Sequence, residues 1–206
     1  MKPVLVLILL SVPLLAQDPG RWNFNFGGGP SFATGDAGRS VNTGYTVTAG
    51  GGINLNKHLG FTVDYTFDGF GLSDQALKAS GAPDGYAHAW GFTFDPVYRF
   101  APGKKVGGYV TGGYGVFTRT INLTRPGLVP ATICDPWTFI CYSGAVVADV
   151  VYRSNSVTKG AWDIGGGLTY RLGESNANFY VELRYFDMLT SGVHSTFLPL
   201  TFGLRW

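Results

Sequence analysis

Apolar and polar residues take turns along most of the chain, and the segment from Leu59 to Asp68 does so most cleanly. There Leu59, Phe61, Val63, Tyr65 and Phe67 are interleaved with Gly60, Thr62, Asp64, Thr66 and Asp68. Successive side chains of a β-strand point to opposite faces, so one face of this strand avoids water and the other avoids hydrocarbon. Seven more segments repeat the pattern. Trp22, Phe24 and Phe26 oppose Arg21, Asn23 and Asn25, and Tyr45, Val47, Ala49, Ile53 and Leu55 oppose Thr46, Thr48 and Asn54. Trp90, Phe92, Phe94, Pro96, Tyr98 and Phe100 oppose Thr93, Asp95 and Arg99, with Pro96 predicting a local bulge because it lacks a ladder donor. In the glycine-dense fifth segment Val110, Gly112, Tyr114 and Val116 oppose Thr111, Gly113, Gly115, Phe117 and Arg119. Trp162, Ile164, Leu168 and Tyr170 oppose Asp163, Gly165, Gly167, Thr169 and Arg171, and Phe179, Val181, Leu183 and Tyr185 oppose Tyr180, Glu182, Arg184 and Phe186. The last segment runs to the final residue, with Leu198, Leu200, Phe202, Leu204 and Trp206 against Thr201, Gly203 and Arg205. Each segment has the roughly 9 to 12 residues that a tilted strand needs to cross a bilayer.

The connections alternate in length. Asn56-Lys57, residues 101–105 and residues 173–176 are short and rich in Gly, Pro, Asn and charge, as hairpin turns require. The other connections, 34–42, 71–84, 120–159 and 187–196, are longer. Short turns at one rim and long loops at the other predict an all-β, closed, antiparallel, up-and-down transmembrane barrel of eight strands. In such a barrel the turns are periplasmic, the loops extracellular, and an even strand number leaves both termini in the periplasm.

The start of the chain fits that destination. Lys2 gives a basic n-region, Val4 to Leu15 an apolar stretch, and Ala16 a small residue before Gln17-Asp18-Pro19-Gly20. Residues 1–16 are therefore expected to be a cleaved signal peptide, although Leu14 is large for the minus-three position. The apolar stretch is shorter than the roughly 20 residues of a membrane-spanning helix. Residues 17–206 are expected to form one domain.

Three stretches carry a resemblance to the small eight-stranded outer-membrane barrels of the OmpA, OmpX and opacity-protein type. They are Gly50-Gly51-Gly52-Ile53 leading to Leu59-Gly60-Phe61-Thr62-Val63-Asp64-Tyr65, Tyr109-Val110-Thr111-Gly112-Gly113-Tyr114-Gly115, and Pro199-Leu200-Thr201-Phe202-Gly203-Leu204-Arg205-Trp206. The resemblance covers Arg21 to Trp206. It implies an outer-membrane location in a Gram-negative envelope, contact with lipid and lipopolysaccharide, and a terminal signal of Leu200, Phe202, Leu204 and Trp206 read by the barrel-assembly machinery. The third long loop, residues 120–159, departs from the minimal pattern of that family. Within it Gly144 to Tyr152, with its Val pairs, reads as a further strand or as an extension of the hairpin above the membrane.

Composition and charge narrow the chemistry. Thirty-one Gly and 31 aromatics against 2 Met favour strands over helices, and a net charge of +2 without a basic run argues against nucleic acid. Eight strands leave a lumen only wide enough for its own side chains. The inward acids Asp64, Asp95, Asp163 and Glu182 and the inward bases Arg99, Arg119, Arg171, Arg184 and Arg205 are therefore expected to form a packed charge network, since unpaired charges there are costly. Aromatics near strand ends are expected to form interfacial girdles, with Trp22, Tyr98, Phe100, Tyr170, Phe179 and Trp206 at one end and Tyr45, Phe67, Tyr86, Trp162 and Tyr185 at the other.

Cys134 and Cys141, an even pair in an exported chain, are expected to form a disulfide. It would close a small ring presenting Trp137, Phe139 and Ile140, either as a contact surface for a partner or packed on the barrel rim. His58, His88 and His194 are scattered, and neither HExxH nor CxxC occurs, so no metal or cofactor is expected. The preferred reading is a non-enzymatic structural and surface-display barrel. A narrow porin-like channel is one alternative. A lipid A deacylase or acyltransferase is another, with His194-Ser195 its one candidate pair.

Overall fold

The computed structural model describes residues 21–100, 102–135, 137–173, 177–190 and 195–206. The expected signal peptide lies outside them. The elements are β1 (Trp22–Thr34), α1 (Gly35–Ser40), β2 (Gly44–Asn54), β3 (Leu59–Gly71), α2 (Asp74–Ser80), β4 (Asp84–Phe100), β5 (Val106–Cys134), β6 (Cys141–Arg171), β7 (Asn178–Met188) and β8 (Ser195–Arg205). Each strand pairs antiparallel with its chain neighbours, and β1 pairs with β8 to complete a closed ring. The seam is tied down to the final residue. Phe26 lies opposite Leu204, and Phe24 and Trp206 exchange backbone hydrogen bonds of 2.8 and 3.0 Å. In hydrocarbon such closure leaves no row of backbone donors and acceptors stranded.

The alternation read from the sequence sets the two faces of the wall. Outward Ile164 and Leu168 are 60% and 66% exposed, while inward Thr62, Asp64, Asp95 and Glu182 are buried. Trp22, Tyr98, Phe100, Tyr170, Phe179 and Trp206 are exposed where the three short connections lie, which we call the turn end. Tyr45, Tyr86 and Trp162 are exposed toward the opposite, hairpin end.

Glycines give the inward side chains their room. A Cβ at Gly50 would overlap the Asp64 carboxylate, and one at Gly113 would overlap that of Asp95. Cβ atoms at Gly27 and Gly167 would crowd the Tyr180 and Tyr109 hydroxyls. The glycine density of the wall is thus the space that large polar side chains from facing strands occupy.

Three features differ from the sequence reading. No bulge forms at Pro96: Phe94 pairs with Tyr114 and Val97 with Thr111 in one unshifted register, so the missing donor costs a bond without inserting a residue. The register shift lies instead between Leu123 and Thr124, where β6 carries Tyr152 as an extra residue. The connections 34–42 and 71–84 hold the short helices α1 and α2. Helix α2 is capped by Ser73, whose Oγ accepts from Ala76 N at 3.3 Å, and ends on Gly81 at φ 67°, a left-handed conformation that glycine adopts without strain. Ser73 Oγ also donates to the Arg39 carbonyl at 2.8 Å, stitching the two connections together.

Within residues 120–159 it is the hairpin extension that forms, and it is longer than Gly144 to Tyr152: residues 120–134 and 141–159 continue β5 and β6, which pair from Val106–Tyr170 to Cys134–Cys141. Strand β4 ends opposite Thr124 and β7 ends opposite Ala161, so beyond those points the two strands pair only with each other. The ten residues after Thr124 extend about 33 Å at ~3.3 Å per residue.

Candidate functional site: a filled lumen and a projecting hairpin

The lumen is filled in layers. At its centre the Arg184 guanidinium, projected from β7, meets acids from four strands. Nη2 lies 3.1 Å from Asp64 Oδ2, Nη1 2.7 Å from Asp95 Oδ2 and 3.7 Å from Asp163 Oδ1, and Nε 3.0 Å from Glu182 Oε1. Charge-assisted bonds of this kind are the strong ones, and the planar fork of arginine suits several carboxylates at once. Short side chains complete the layer: Asn25 Nδ2 donates to Asp64 at 2.8 Å and Thr93 Oγ1 to Asp95 at 2.7 Å.

Toward the turn end Arg205 lies over the Tyr109 ring at 4.3 Å and the Tyr180 ring at 5.2 Å, a cation–π arrangement. Its Nη2 is 3.8 Å from Glu182 Oε2, and Tyr109 donates to that same oxygen at 2.7 Å. The structure thus brings together Asp64, Asp95, Asp163, Glu182, Arg184 and Arg205. The other inward arginines stand apart. Arg99 and Arg171 line an open basin of about 860 Å³ at the turn end, together with Arg21, Lys57 and Arg205. Arg119 lies near the hairpin end and donates to Ser195 Oγ.

Above the charged layer the filling becomes largely apolar, which inward phase alone did not reveal, although the acid Asp68 is fully buried there opposite Ala89. Phe117, Phe186 and Phe197 pack ring on ring with centroids 4.9 to 5.7 Å apart, beside fully buried Met188. The two layers touch, since Arg184 Cζ lies 5.8 Å from the centre of the Phe186 ring. Between them the void lined by Thr46, Thr66, Arg184, Phe186 and Thr201 measures about 10 Å³, roughly one water. Beyond the aromatic layer, under α1, lies a cavity of about 240 Å³.

Cys134 and Cys141 are joined by a disulfide at the hairpin tip. Asp135 organises the enclosed turn: its Oδ1 accepts from Trp137 N at 2.7 Å and Thr138 N at 3.2 Å, and its carbonyl accepts from Phe139 N at 2.9 Å. Phe139 sits at φ 54°, a left-handed conformation sparsely populated by non-glycine residues. Trp137 and Phe139 are 91% and 85% exposed, so the tip does not pack on the barrel rim. Directly paired strand residues share a face, and both faces of the projecting ribbon are apolar: Leu128 with Val147 on one, Val129 with Val146 on the other.

At the seam, Phe202, Leu204 and Trp206 are exposed on the outer face and Leu200 is half-buried. Of the pair His194-Ser195, Ser195 is buried within the barrel, and His194 lies outside the described residues. Among the described residues no group of His, Cys, Asp and Glu is arranged to hold a metal, and no helix is long and apolar enough to cross a membrane.

A family model described as outer membrane protein beta-barrel domain matches residues 3–205. No curated protein shows significant sequence similarity to the chain. Among solved structures, Neisserial surface protein A is similar at 15% identity with a TM-score of 0.60, over 89% of this chain and 95% of that one. Ail, the attachment invasion locus protein of Yersinia pestis, matches at 17% identity and a TM-score of 0.49, over 91% and 99% of the two chains. OprG of Pseudomonas aeruginosa matches at 11% identity and a TM-score of 0.49, over 91% and 97%. At these identities the likeness is one of fold.

Proposed function

The chain belongs to the outer-membrane β-barrel family, and on that premise we propose that it is a non-enzymatic barrel whose work is to hold the β5–β6 hairpin rigidly at the bacterial surface. The observation that carries the reading is the contrast between a lumen closed by side chains and a ribbon that projects with the Leu128–Val147 face exposed, the Val129–Val146 face half-exposed and the aromatic tip uncovered. A filled cylinder suits an anchor, because its ion pairs and ring stack fix the wall from which the ribbon grows. The apolar belt contacts lipid and the lipid portion of lipopolysaccharide.

In this reading the turn end and both termini face the periplasm and the hairpin faces outward. The outward-facing Leu200, Phe202, Leu204 and Trp206 of the last strand serve as the address read by the barrel-assembly machinery. The tip offers a partner the aromatic and aliphatic groups Trp137, Phe139 and Ile140, with no lysine or arginine between the two cysteines. Large rigid aromatics with few rotatable bonds lose little entropy on contact, which makes them effective anchors for another surface.

The experiment is a deletion of residues 126–150 with a short Asn-Gly closure. The shortened protein is expected to insert and to keep a heat-modifiable band on gels, while cells displaying the full-length protein are expected to adhere to surfaces and neighbouring cells more than cells displaying the shortened one. Unchanged adhesion would sink the display reading. Planar-bilayer recordings on refolded full-length protein are expected to show no steady conductance; regular open steps would favour a channel instead.

A further inference from the structure

We propose that the cavity at the hairpin end of the lumen is a binding site for a small amphipathic carboxylate, with an apolar body of single-ring size held by the walls and its anionic end held by Arg119. The cavity measures about 240 Å³. This falls below the ~300 Å³ lower end for drug-sized ligands, whereas an apolar cavity of ~150 Å³ accepts benzene, so the occupant is about one substituted ring. The walls are apolar: Ala33, Ala87 and Ala89 leave the space, and Phe70, Met188 and Phe197 bound it. Phe197 belongs to the buried aromatic stack, so the site is a cup with a sealed floor rather than a passage.

Arg119 gives the cup its chemical preference. Arg184 and Arg205 each have carboxylates within ion-pairing distance. Arg119 lines the cavity half-buried and, among the described residues, forms no ion pair; its partner is the hydroxyl of Ser195. A guanidinium has five donors, and one withdrawn from water without an anion pays desolvation that pairing would recover. A carboxylate is the complement that the planar fork binds best. Ser195, itself 4% exposed, fixes the fork in place. Helix α1 contributes Ala37 and Ser40 over the top, so the occupant would be largely enclosed.

The test uses the full-length protein in lipid nanodiscs, with benzoate as the probe, benzamide as its neutral isostere, and ligand-observed NMR titration as the readout. Saturable benzoate binding is expected, weakened about tenfold or more by Arg119→Gln, as loss of a charge-assisted pair implies. Benzamide affinity is expected to be the same in the parent and in Arg119→Gln. Ala89→Leu, which fills the cup, is expected to abolish binding of both probes, and Ala87→Val serves if that variant fails to give the heat-modifiable folded band. Absence of saturable binding by benzoate overturns the proposal. So does benzoate binding that is indifferent to Arg119→Gln or to filling of the cavity, which would locate it on the lipid-facing surface.

Discussion

The two halves of the lumen solve one problem in opposite ways. Toward the turn end the inward positions hold Arg184, Arg205 and their acids, and each group finds its complement on another strand. Toward the hairpin end the same inward phase holds Phe117, Phe186, Phe197 and Met188, which need no partner beyond one another. The charged half is bound by directional contacts and is tight at its Arg184 layer, opening only beyond it into the arginine-lined basin; the apolar half is bound by shape and leaves a cavity. A period of two therefore decides which side chains enter a barrel, but their chemistry decides whether the filling is a lattice of pairs or a packed oil drop with room to spare.

The sharpest way to break this contrast is Arg184→Met. It leaves Asp64, Asp95, Asp163 and Glu182 facing Arg205 alone, and removal of one member of a buried ionic group costs about 3–5 kcal/mol. Urea unfolding from lipid vesicles should show a loss of at least that size; a loss below about 1 kcal/mol would mean that the network does not hold the ring. Next comes Phe117→Ala in the apolar half, expected to cost about 3 kcal/mol in the same assay, from lost transfer energy and the cavity left behind. Because the Arg184 layer still closes the lumen beneath it, this variant should remain silent in planar bilayers, and new conductance would show that the aromatic layer is the true barrier.

A smaller effect is expected at Gly50, where an added methyl meets the Asp64 carboxylate. Gly50→Ala should cost about 1–3 kcal/mol by overpacking, whereas Gly144→Ala, with open space around it, should change barrel unfolding by less than about 0.5 kcal/mol. The smallest effect on the barrel belongs to the paired substitution Cys134→Ser with Cys141→Ser. The bridge lies at the far tip of the ribbon, so barrel unfolding should be unchanged while limited proteolysis cuts residues 134–141 faster through local opening.

Much of the wall was legible because membrane and lumen impose opposite demands on neighbouring residues. Leu59 to Asp68 could be read as a strand with assigned faces from its side chains alone. The hairpin was legible only in part: the Val pairs of residues 144–152 pointed to a strand or a hairpin extension, but with Leu128, Val147, Val129 and Val146 spread over both faces no alternation survives to give its length or register. Helix α2 lay within a connection read without secondary structure, because a helix of seven residues is too short to show helical periodicity. Within the lumen, phase placed the arginines on the correct face without giving their depth. Arg184 and Arg205 reach the acids while Arg99 and Arg171 end at the open basin, because depth depends on how far each strand is staggered around the ring. The cavity was invisible for a related reason, since small inward residues such as Ala87 and Ala89 announce a side and not the emptiness they leave.

The seam between Phe24 and Trp206 has a consequence for biogenesis. One border of the join is the first of the eight strands and the other the last, so no folding intermediate that lacks β8 can complete the cylinder. Loss of β8 leaves the pairings of β1 through β7 in place but the hoop undone. Sealing thus acts as a built-in check for both border strands, passed by molecules that bring them to the rendezvous.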